Sequence, residues 1–216
     1  MKKNLLYKFF QLTVETFAFG FIKKISGMEN IPKHGKFIIV ANHESYIDPV
    51  IIKTIFDKHF DRVVFYLTKK ESFDNPFKRL FFNTVGTIPI DRQNKDMYAL
   101  ESAINKVNEG ELLGLFPEGT RSKDGKLQSG KTGAVRIALA CKCDILPIGI
   151  NNTFELWPSH KKLPRYKKIV IVKIGKPISL KEYYDKEVTK ELLRKITDDV
   201  MIEIGKLCEP KEENSL

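Results

Sequence analysis

The feature of this chain that most constrains its fold is an alternation of short β-branched apolar runs with longer segments of helical length. The apolar runs predict strands at residues 37–40, 63–67, 87–90, 112–116, 145–150 and 169–174. The segments of helical length predict helices at residues 50–60, 94–108, 132–141 and 189–207. Alternating strands and helices favour an α/β fold with a mostly parallel central sheet flanked by helices.

The length of 216 residues suits one domain with a sizeable core, and no repeat or long Pro/Gly/Ser linker divides the chain. We therefore predict an α/β domain over residues 26–216, preceded by an amphipathic, membrane-associated helical segment over residues 1–25. The aromatic-rich stretch of that segment has 14 residues between Lys8 and Lys23. A membrane-spanning helix needs roughly 20 apolar residues, so this one is too short to span. It could lie in a bilayer interface or pack on its own domain, and the sequence leaves both open.

The charge balance favours an anionic partner, because 37 Lys and Arg against 27 Asp and Glu give a net charge of +10. Nucleic acid, acidic lipid and phosphorylated substrates all fit, and charge for solubility alone is the alternative. A basic nucleic-acid-binding module is the non-enzyme hypothesis. The chain lacks helix-turn-helix, zinc-finger and aromatic RNP-type patterns, so we expect no nucleic-acid partner.

The three cysteines, Cys141, Cys143 and Cys208, do not form the even set of a disulfide framework. A C-x-C pair without a second Cys or His pair nearby is weak support for a metal site. We therefore expect reduced, structural thiols in a cytosolic compartment and no metal.

The first polar cluster, Asn-His-Glu-Ser-Tyr-Ile-Asp-Pro, follows the first predicted strand. His43 and Asp48 lie on the turn between strand and helix, where they can meet through a hydrogen bond. An Asp bound to one ring nitrogen fixes the tautomer, and the other nitrogen can then take a proton from a substrate hydroxyl. Alternatively, Ser45-x-x-Asp48 is a capping-box pattern that begins the following helix, with His43 a half-buried structural residue. The spacing leaves both interpretations open.

Two further predicted strands end in polar residues, one at Asp91-Arg92 and one in the run FPEGTRS. Arg92 and Arg121 each offer a planar guanidinium that can clamp phosphate, although Arg92 could instead pair with Asp91. Glu118 can accept hydrogen bonds from hydroxyls, and Gly119 permits close approach of the backbone to a ligand. Ligands of parallel sheets bind beyond the carboxyl ends of the strands, so these clusters predict a binding site.

Four segments resemble, in order and spacing, the four motifs of the glycerolipid acyltransferases: residues 42–48, 86–92, 116–122 and 145–148. The chain is most similar to the lysophosphatidate (1-acyl-sn-glycerol-3-phosphate) acyltransferases, over roughly residues 26–176. The resemblance implies transfer of a fatty acyl chain from an acyl thioester to the sn-2 hydroxyl of 1-acyl-glycerol 3-phosphate. The product would be phosphatidate for phospholipid synthesis. Glycerol 3-phosphate or another lysolipid is the alternative acceptor.

The resemblance also implies roles for individual residues. His43 would be the general base and Asp48 its orienting partner. Substrate binding would fall to Lys69, Arg92, Glu118, Gly119, Thr120 and Arg121. Among these, the two arginines would hold the acceptor phosphate, Glu118 and Gly119 would position the glycerol, and Lys69 would support the developing oxyanion.

The resemblance implies no resident cofactor, because the acyl thioester of coenzyme A or of acyl carrier protein is a co-substrate. The implied partners are the lysophospholipid substrate, a membrane surface and acyl carrier protein. The implied location is the cytoplasmic face of the cell membrane, as a peripheral or monotopic protein.

A competing motif lies at residues 125–132, which fit the P-loop pattern G-x-x-x-x-G-K-[ST]. A P-loop needs a buried strand directly before its first glycine, and the residues before Gly125 are polar, so we expect no nucleotide site. The stretch also departs from the acyltransferase pattern, because Gly130 precedes Lys131 where such enzymes often have an aromatic residue. The chain has no G-x-S-x-G elbow, so its sequence does not favour a serine hydrolase.

Overall fold

A computed structural model describes residues 5–59, 63–91, 97–158, 160–161 and 163–208. The strands are β1 (Ile22–Ser26), β2 (Phe37–Ala41), β3 (Val64–Lys69), β4 (Thr87–Ile90), β5 (Leu112–Leu115), β6 (Asp144–Asn151) and β7 (Val170–Ile174). The α-helices are α1 (Leu5–Phe19), α2 (Asp48–His59), α3 (Pro76–Val85), α4 (Met97–Asn108), α5 (Gly133–Ala140), α6 (Thr153–Leu156) and α7 (Lys190–Cys208).

The strands form one sheet in the order β1-β7-β6-β2-β5-β3-β4. Neighbouring strands are parallel in every pair except β6 and β7. The prediction of an α/β fold with a mostly parallel sheet flanked by helices is therefore confirmed. Because β2, β3, β4 and β5 run in the same direction, their carboxyl ends meet at one edge of the sheet.

The central strand β2 is buried on both faces, which explains its unbroken apolar sequence. Phe37, Ile39 and Ala41 pack into the core layer that includes α1, α2 and α6. Ile38 and Val40 point the other way, into the layer that includes α4, α5 and α7. The layers are thus separated by the sheet, and the loops at its carboxyl edge lie between them.

The predicted strands and the described parts of the predicted helices are present, with ends that shift by a few residues. Strand β1 and helices α3 and α6 were not predicted. β1 forms at the edge of the sheet, where Lys23 and Lys24 are exposed while Ile22 is buried. Lysines are common on edge strands, and here they interrupted the apolar signal. The boundary that we placed between residues 25 and 26 falls within this strand.

Helix α1 is the helix predicted in the N-terminal segment. Ala18 is fully buried, whereas Leu12, Phe17 and Phe19 are exposed large apolar side chains. Beyond the helix, Phe21 is also fully buried, so the segment is tied to the core at its end. Within the described residues, no helix combines the length and apolarity that crossing a membrane requires.

Candidate active site

A cavity of about 360 Å³ opens at the edge of the sheet where the parallel strands β2, β3, β4 and β5 end. Its wall contains five of the predicted site residues, namely His43, Lys69, Gly119, Thr120 and Arg121. They come from the ends of β2, β3 and β5, which the parallel topology brings together. Asp48 and Glu118 are buried behind the wall. Arg92 lies outside the described residues, so its predicted role stays a prediction.

The predicted hydrogen bond between His43 and Asp48 is present, with Nδ1 of the imidazole 2.8 Å from Oδ2 of the carboxylate. Asp48 is fully buried, and the same oxygen accepts the main-chain N–H groups of Glu44 at 2.8 Å and Ser45 at 2.7 Å. Asp48 therefore fixes both the imidazole and the turn that carries it. Nε2 is the ring nitrogen left for a substrate hydroxyl, and His43 lines the cavity.

The capping interpretation is also correct in part. Asp48 reaches back to the Ser45 N–H, as the acidic member of a capping box does. The Ser45 hydroxyl does not complete the box, because it accepts the N–H of Ile47 at 3.4 Å and not that of Asp48, while it donates to the carbonyl of Trp157 at 2.8 Å. The two interpretations that the sequence left open thus coexist in Asp48, which begins α2 and orients His43.

Glu118 holds the two loops of the site together rather than lining the cavity. Its Oε1 accepts the main-chain N–H of His43 at 2.7 Å, and its Oε2 accepts that of Gln128 at 3.1 Å. In return, Ser122 donates its N–H to the His43 carbonyl at 2.7 Å. The face of the imidazole stacks on Phe116, with ring centroids 4.1 Å apart and planes at 18°. The histidine is consequently fixed at its ring, its N–H and its carbonyl.

Glu44 is a site residue that sequence reasoning did not assign. Its carboxylate accepts hydrogen bonds from Asn42 Nδ2 at 3.1 Å and from the Phe154 N–H at 3.2 Å. Asn42 in turn exchanges a pair of hydrogen bonds with the main chain of Ile150, at 2.8 Å and 2.7 Å. Glu44 therefore fastens the His43 turn to the end of β6 and the start of α6. Its place next to His43 in the sequence was the only available signal.

Burial raises the pKa of two carboxyls beside the His43–Asp48 pair. The pKa of Glu44 rises to about 7, mainly through burial and secondly through the negative charge of Asp48. The pKa of Glu118 also rises to about 7 through burial, which outweighs the opposing hydrogen bonds from the His43 and Gln128 amides. These carboxyls and Asp48 concentrate acidic groups behind the cavity wall, so proton occupancy there changes near neutral pH.

Arg121 presents an unsatisfied donor at the cavity. Its guanidinium carbon lies 3.4 Å from the centroid of the Tyr46 ring, a stacked cation–π contact. Its Nη1 is buried and has no hydrogen-bond partner among the residues that the structure describes. A buried, charged donor without a partner is costly unless a ligand satisfies it, and phosphate oxygens suit a guanidinium.

The cavity wall beside β3 and β4 contains several apolar side chains. Tyr66, Leu67, Phe82 and Ile90, from β3, α3 and β4, lie in the wall there. The Tyr66 ring is parallel to Phe116 within 8°, and its hydroxyl donates to the carbonyl of Pro49 at 2.9 Å. Beside β3 and β4 the cavity wall therefore combines these apolar side chains with the polar Thr68, Lys69 and Thr87.

The P-loop pattern at residues 125–132 lacks the context of a P-loop. β5 ends at Leu115, and residues 116–132 contain no strand. The segment instead forms the loop that Glu118 holds against His43. The described residues also contain no group of three or more His, Cys, Asp or Glu arranged to hold a metal ion.

The comparisons with known proteins agree with this geometry. Residues 23–151 match the family model described as Acyltransferase. The chain is 31% identical over 156 residues to the 1-acyl-sn-glycerol-3-phosphate acyltransferase of Bacillus subtilis, a match covering 72% of this chain and 73% of that protein. It is 34% identical over 131 residues to the Borreliella burgdorferi protein of the same name, covering 60% of this chain and 51% of the relative. The chain therefore belongs to the acyltransferase family.

A solved structure supports the same grouping over nearly the whole chain. The crystal structure of the 1-acyl-sn-glycerophosphate (LPA) acyltransferase from Thermotoga maritima superposes with a TM-score of 0.71 at 28% sequence identity. The match covers 97% of this chain and 83% of that one. The resemblance drawn from the four sequence motifs is thus confirmed at the level of family and fold, although this chain matches only about half the length (51%) of the Borreliella relative.

Proposed function

We propose that this chain transfers a fatty acyl group from an acyl thioester to the sn-2 hydroxyl of 1-acyl-glycerol 3-phosphate, forming phosphatidate for phospholipid synthesis. The observation that carries the proposal is the His43–Asp48 pair, joined at 2.8 Å, in a cavity that also contains Arg121. The names of the Bacillus and Borreliella relatives support this acceptor.

In the proposed reaction, His43 acts as general base through Nε2. It removes the proton of the acceptor hydroxyl while that oxygen attacks the thioester carbonyl. Asp48 stabilises the resulting imidazolium through its hydrogen bond to Nδ1. As the carbon–sulfur bond breaks, the thiolate leaves and takes up the proton from His43, so the base is restored.

The other predicted residues would bind the substrates. Arg121 offers its unpaired guanidinium nitrogen to the acceptor phosphate, together with Arg92. Gly119 and Thr120, in the same loop, lie where the glycerol would sit, and Glu118 would act by holding that loop against His43. Lys69, at the end of β3, supplies positive charge for the developing oxyanion.

The acyl chains and the membrane would approach from the apolar surfaces. The apolar side chains in the wall beside β3 and β4 suit a hydrocarbon chain, whose burial is favourable by about 0.8 kcal/mol per methylene. We propose that α1, with its exposed Leu12, Phe17 and Phe19, contacts the cytoplasmic surface of a membrane as a peripheral element. Coenzyme A and acyl carrier protein are both candidate carriers of the donor thioester.

An acceptor panel tests the function directly. The purified full chain is given one acyl group, as the coenzyme A or the carrier-protein thioester, with lysophosphatidate, glycerol 3-phosphate or neutral monoacylglycerol. We expect lysophosphatidate to give the highest kcat/KM, and His43→Ala to lower turnover about 10²–10⁴-fold. Higher kcat/KM with glycerol 3-phosphate would overturn the acceptor. A His43→Ala variant within threefold of wild type would overturn the mechanism.

A further inference from the structure

The Lys131 side chain lies against Gly119, which is part of the cavity wall. A methyl group placed on Gly119 would be 3.0 Å from Nζ, 3.2 Å from Cε and 3.3 Å from Cδ of Lys131. The lysine side chain therefore extends along the surface of this glycine, which itself lines the cavity. In the sequence, Lys131 belongs to a P-loop pattern that the structure does not form, and it follows Gly130 where acyltransferases often have an aromatic residue.

The main chain at this position is anchored on both sides of the loop. The Lys131 N–H donates to the carbonyl of Pro117 at 2.7 Å. The preceding residue, Gly130, is buried against Met201, and its carbonyl accepts a hydrogen bond from Arg194 on α7 at 2.8 Å. These contacts fix the main chain at Lys131 beside the loop residues 117–119.

The Lys131 ammonium has no partner among the residues that the structure describes. No carboxylate lies within ion-pairing distance of it, whereas other lysines such as Lys53 and Lys206 do form ion pairs. The nearby Glu118 already uses both oxygens on main-chain N–H groups. Lys131 is exposed to solvent and therefore places a positive charge beside Gly119, a residue of the cavity wall.

A phosphate group is an anion that would pair with the Lys131 ammonium. A phosphate monoester carries about −1.5 to −2 charges and several acceptor oxygens, so it can accept a hydrogen bond from a lysine in addition to those from guanidiniums. Arg121 follows Gly119 by two residues in the same loop and also lacks a partner for Nη1 within the described part of the chain. The loop at residues 116–132 thus carries both cations, with Arg121 in the cavity wall and Lys131 beside Gly119.

We propose that Lys131 binds a phosphate oxygen at the cavity rim as a substrate-binding residue in addition to the arginines. This inference rests on the proposed function, because the phosphate belongs to the acceptor lysophosphatidate or to the coenzyme A part of the donor. The P-loop pattern would instead have assigned Lys131 to a nucleotide.

The test compares Lys131→Met, which keeps an apolar stem and removes the charge, with Lys131→Arg, which keeps the charge. Lys123→Met is the matched control, because it removes one exposed charge from the same loop. A charge-assisted hydrogen bond contributes enough to change binding about tenfold or more. We expect Lys131→Met to raise KM for one phosphate-bearing substrate about tenfold with kcat within twofold. Lys131→Arg and Lys123→Met should stay within threefold of wild type.

The two sources of phosphate are separated by varying each substrate. A raised KM for lysophosphatidate assigns the contact to the acceptor. A raised KM for acyl-coenzyme A, with no change for an acyl-N-acetylcysteamine thioester that lacks the coenzyme phosphates, assigns it to the donor. Unchanged KM values for both substrates in Lys131→Met would overturn the proposal.

Failure of the proposed function gives a different result, because wild type would then not acylate lysophosphatidate. In that case, calorimetric binding of glycerol 3-phosphate and of coenzyme A to wild type and Lys131→Met still tests the lysine. Weaker binding of either ligand by the variant supports the proposal, and equal binding of both overturns it.

Discussion

Three consecutive main-chain N–H groups determine where the imidazole of His43 sits. The N–H of His43 donates to Glu118, and those of Glu44 and Ser45 donate to Asp48. Buried carboxylates thus replace the water that these amides would otherwise bind, and an amide left unpaired there would cost about 1–3 kcal/mol. The imidazole of His43 is consequently positioned by main-chain hydrogen bonds as much as by the contacts of its ring.

Asp48 can be tested by separating its charge from its hydrogen bonds. In Asp48→Asn, an amide oxygen at the position of Oδ2 can still accept from Glu44 and Ser45, so we expect a folded protein. The variant lacks the charge that stabilises the imidazolium, so turnover should fall about 10²–10⁴-fold. Asp48→Ala leaves the amides unpaired and should also lower the free energy of unfolding by about 2–4 kcal/mol.

Urea unfolding and steady-state kinetics of Asp48→Asn and Asp48→Ala measure the contribution of the charge separately from that of the hydrogen bonds. Wild-type turnover in Asp48→Asn would show that orientation without charge is sufficient. Equal unfolding free energies for Asp48→Ala and wild type would show that the turn does not depend on the carboxylate.

At the level of elements, helix α1 offers a test of membrane contact that leaves the core intact. Leu12 and Phe19 are 63% and 44% exposed, whereas Ala18 and Phe21 are fully buried. Deleting residues 1–22 would therefore damage the core, and substitution is the sharper experiment. Leu12→Ser with Phe19→Ser should weaken co-sedimentation with anionic liposomes about tenfold or more, because each buried side chain contributes about 1.5–3 kcal/mol.

Tyr98→Ser is the control for this experiment. Tyr98 is 81% exposed on α4, which packs on the opposite face of the sheet from α1. We expect it to bind liposomes as wild type does, with unchanged circular dichroism in all variants. Undiminished binding by the α1 double variant would place the membrane contact elsewhere.

The elements that sequence reasoning predicted are those whose signals are local. The His43–Asp48 pair spans five residues, so turn geometry alone brings the partners together. The Glu118–His43 hydrogen bond joins residues 75 positions apart, and no local pattern shows that a motif glutamate serves a main-chain N–H. β1 was missed because its pairing with β7 comes from the distant end of the chain. Long-range pairing of this kind is a property of the topology.

At the scale of the whole molecule, the carboxyls with raised pKa link stability to pH. A carboxyl whose pKa is raised by folding stabilises the fold most below its unfolded pKa, and this stabilisation is lost as pH rises through the folded value. For Glu44 the window runs from 4.5 to about 7. Burial and the charges of Asp48 and Glu118 raise its pKa, while hydrogen bonds from Phe154 and Thr153 oppose them.

The expected result is a difference in slope between wild type and Glu44→Gln, which is neutral at every pH. From pH 5 to pH 8 the free energy of unfolding of wild type should fall relative to the variant by about 1–3 kcal/mol. Urea titrations at several pH values measure it, and the lost hydrogen bonds of the variant add only a constant offset. Parallel stability curves would show that Glu44 does not titrate in this range.

The Ser45 hydroxyl donates its hydrogen bond to the carbonyl of Trp157 and not to His43, and this bears on the order in which the substrates bind and react. Within the described residues, no hydroxyl or thiol hydrogen-bonds to His43, so the histidine has no nucleophile to activate except one that arrives with the acceptor. Donor and acceptor must then occupy the cavity at the same time. Initial rates measured against both substrates should give intersecting double-reciprocal lines, and the thioester alone should release no burst of free thiol.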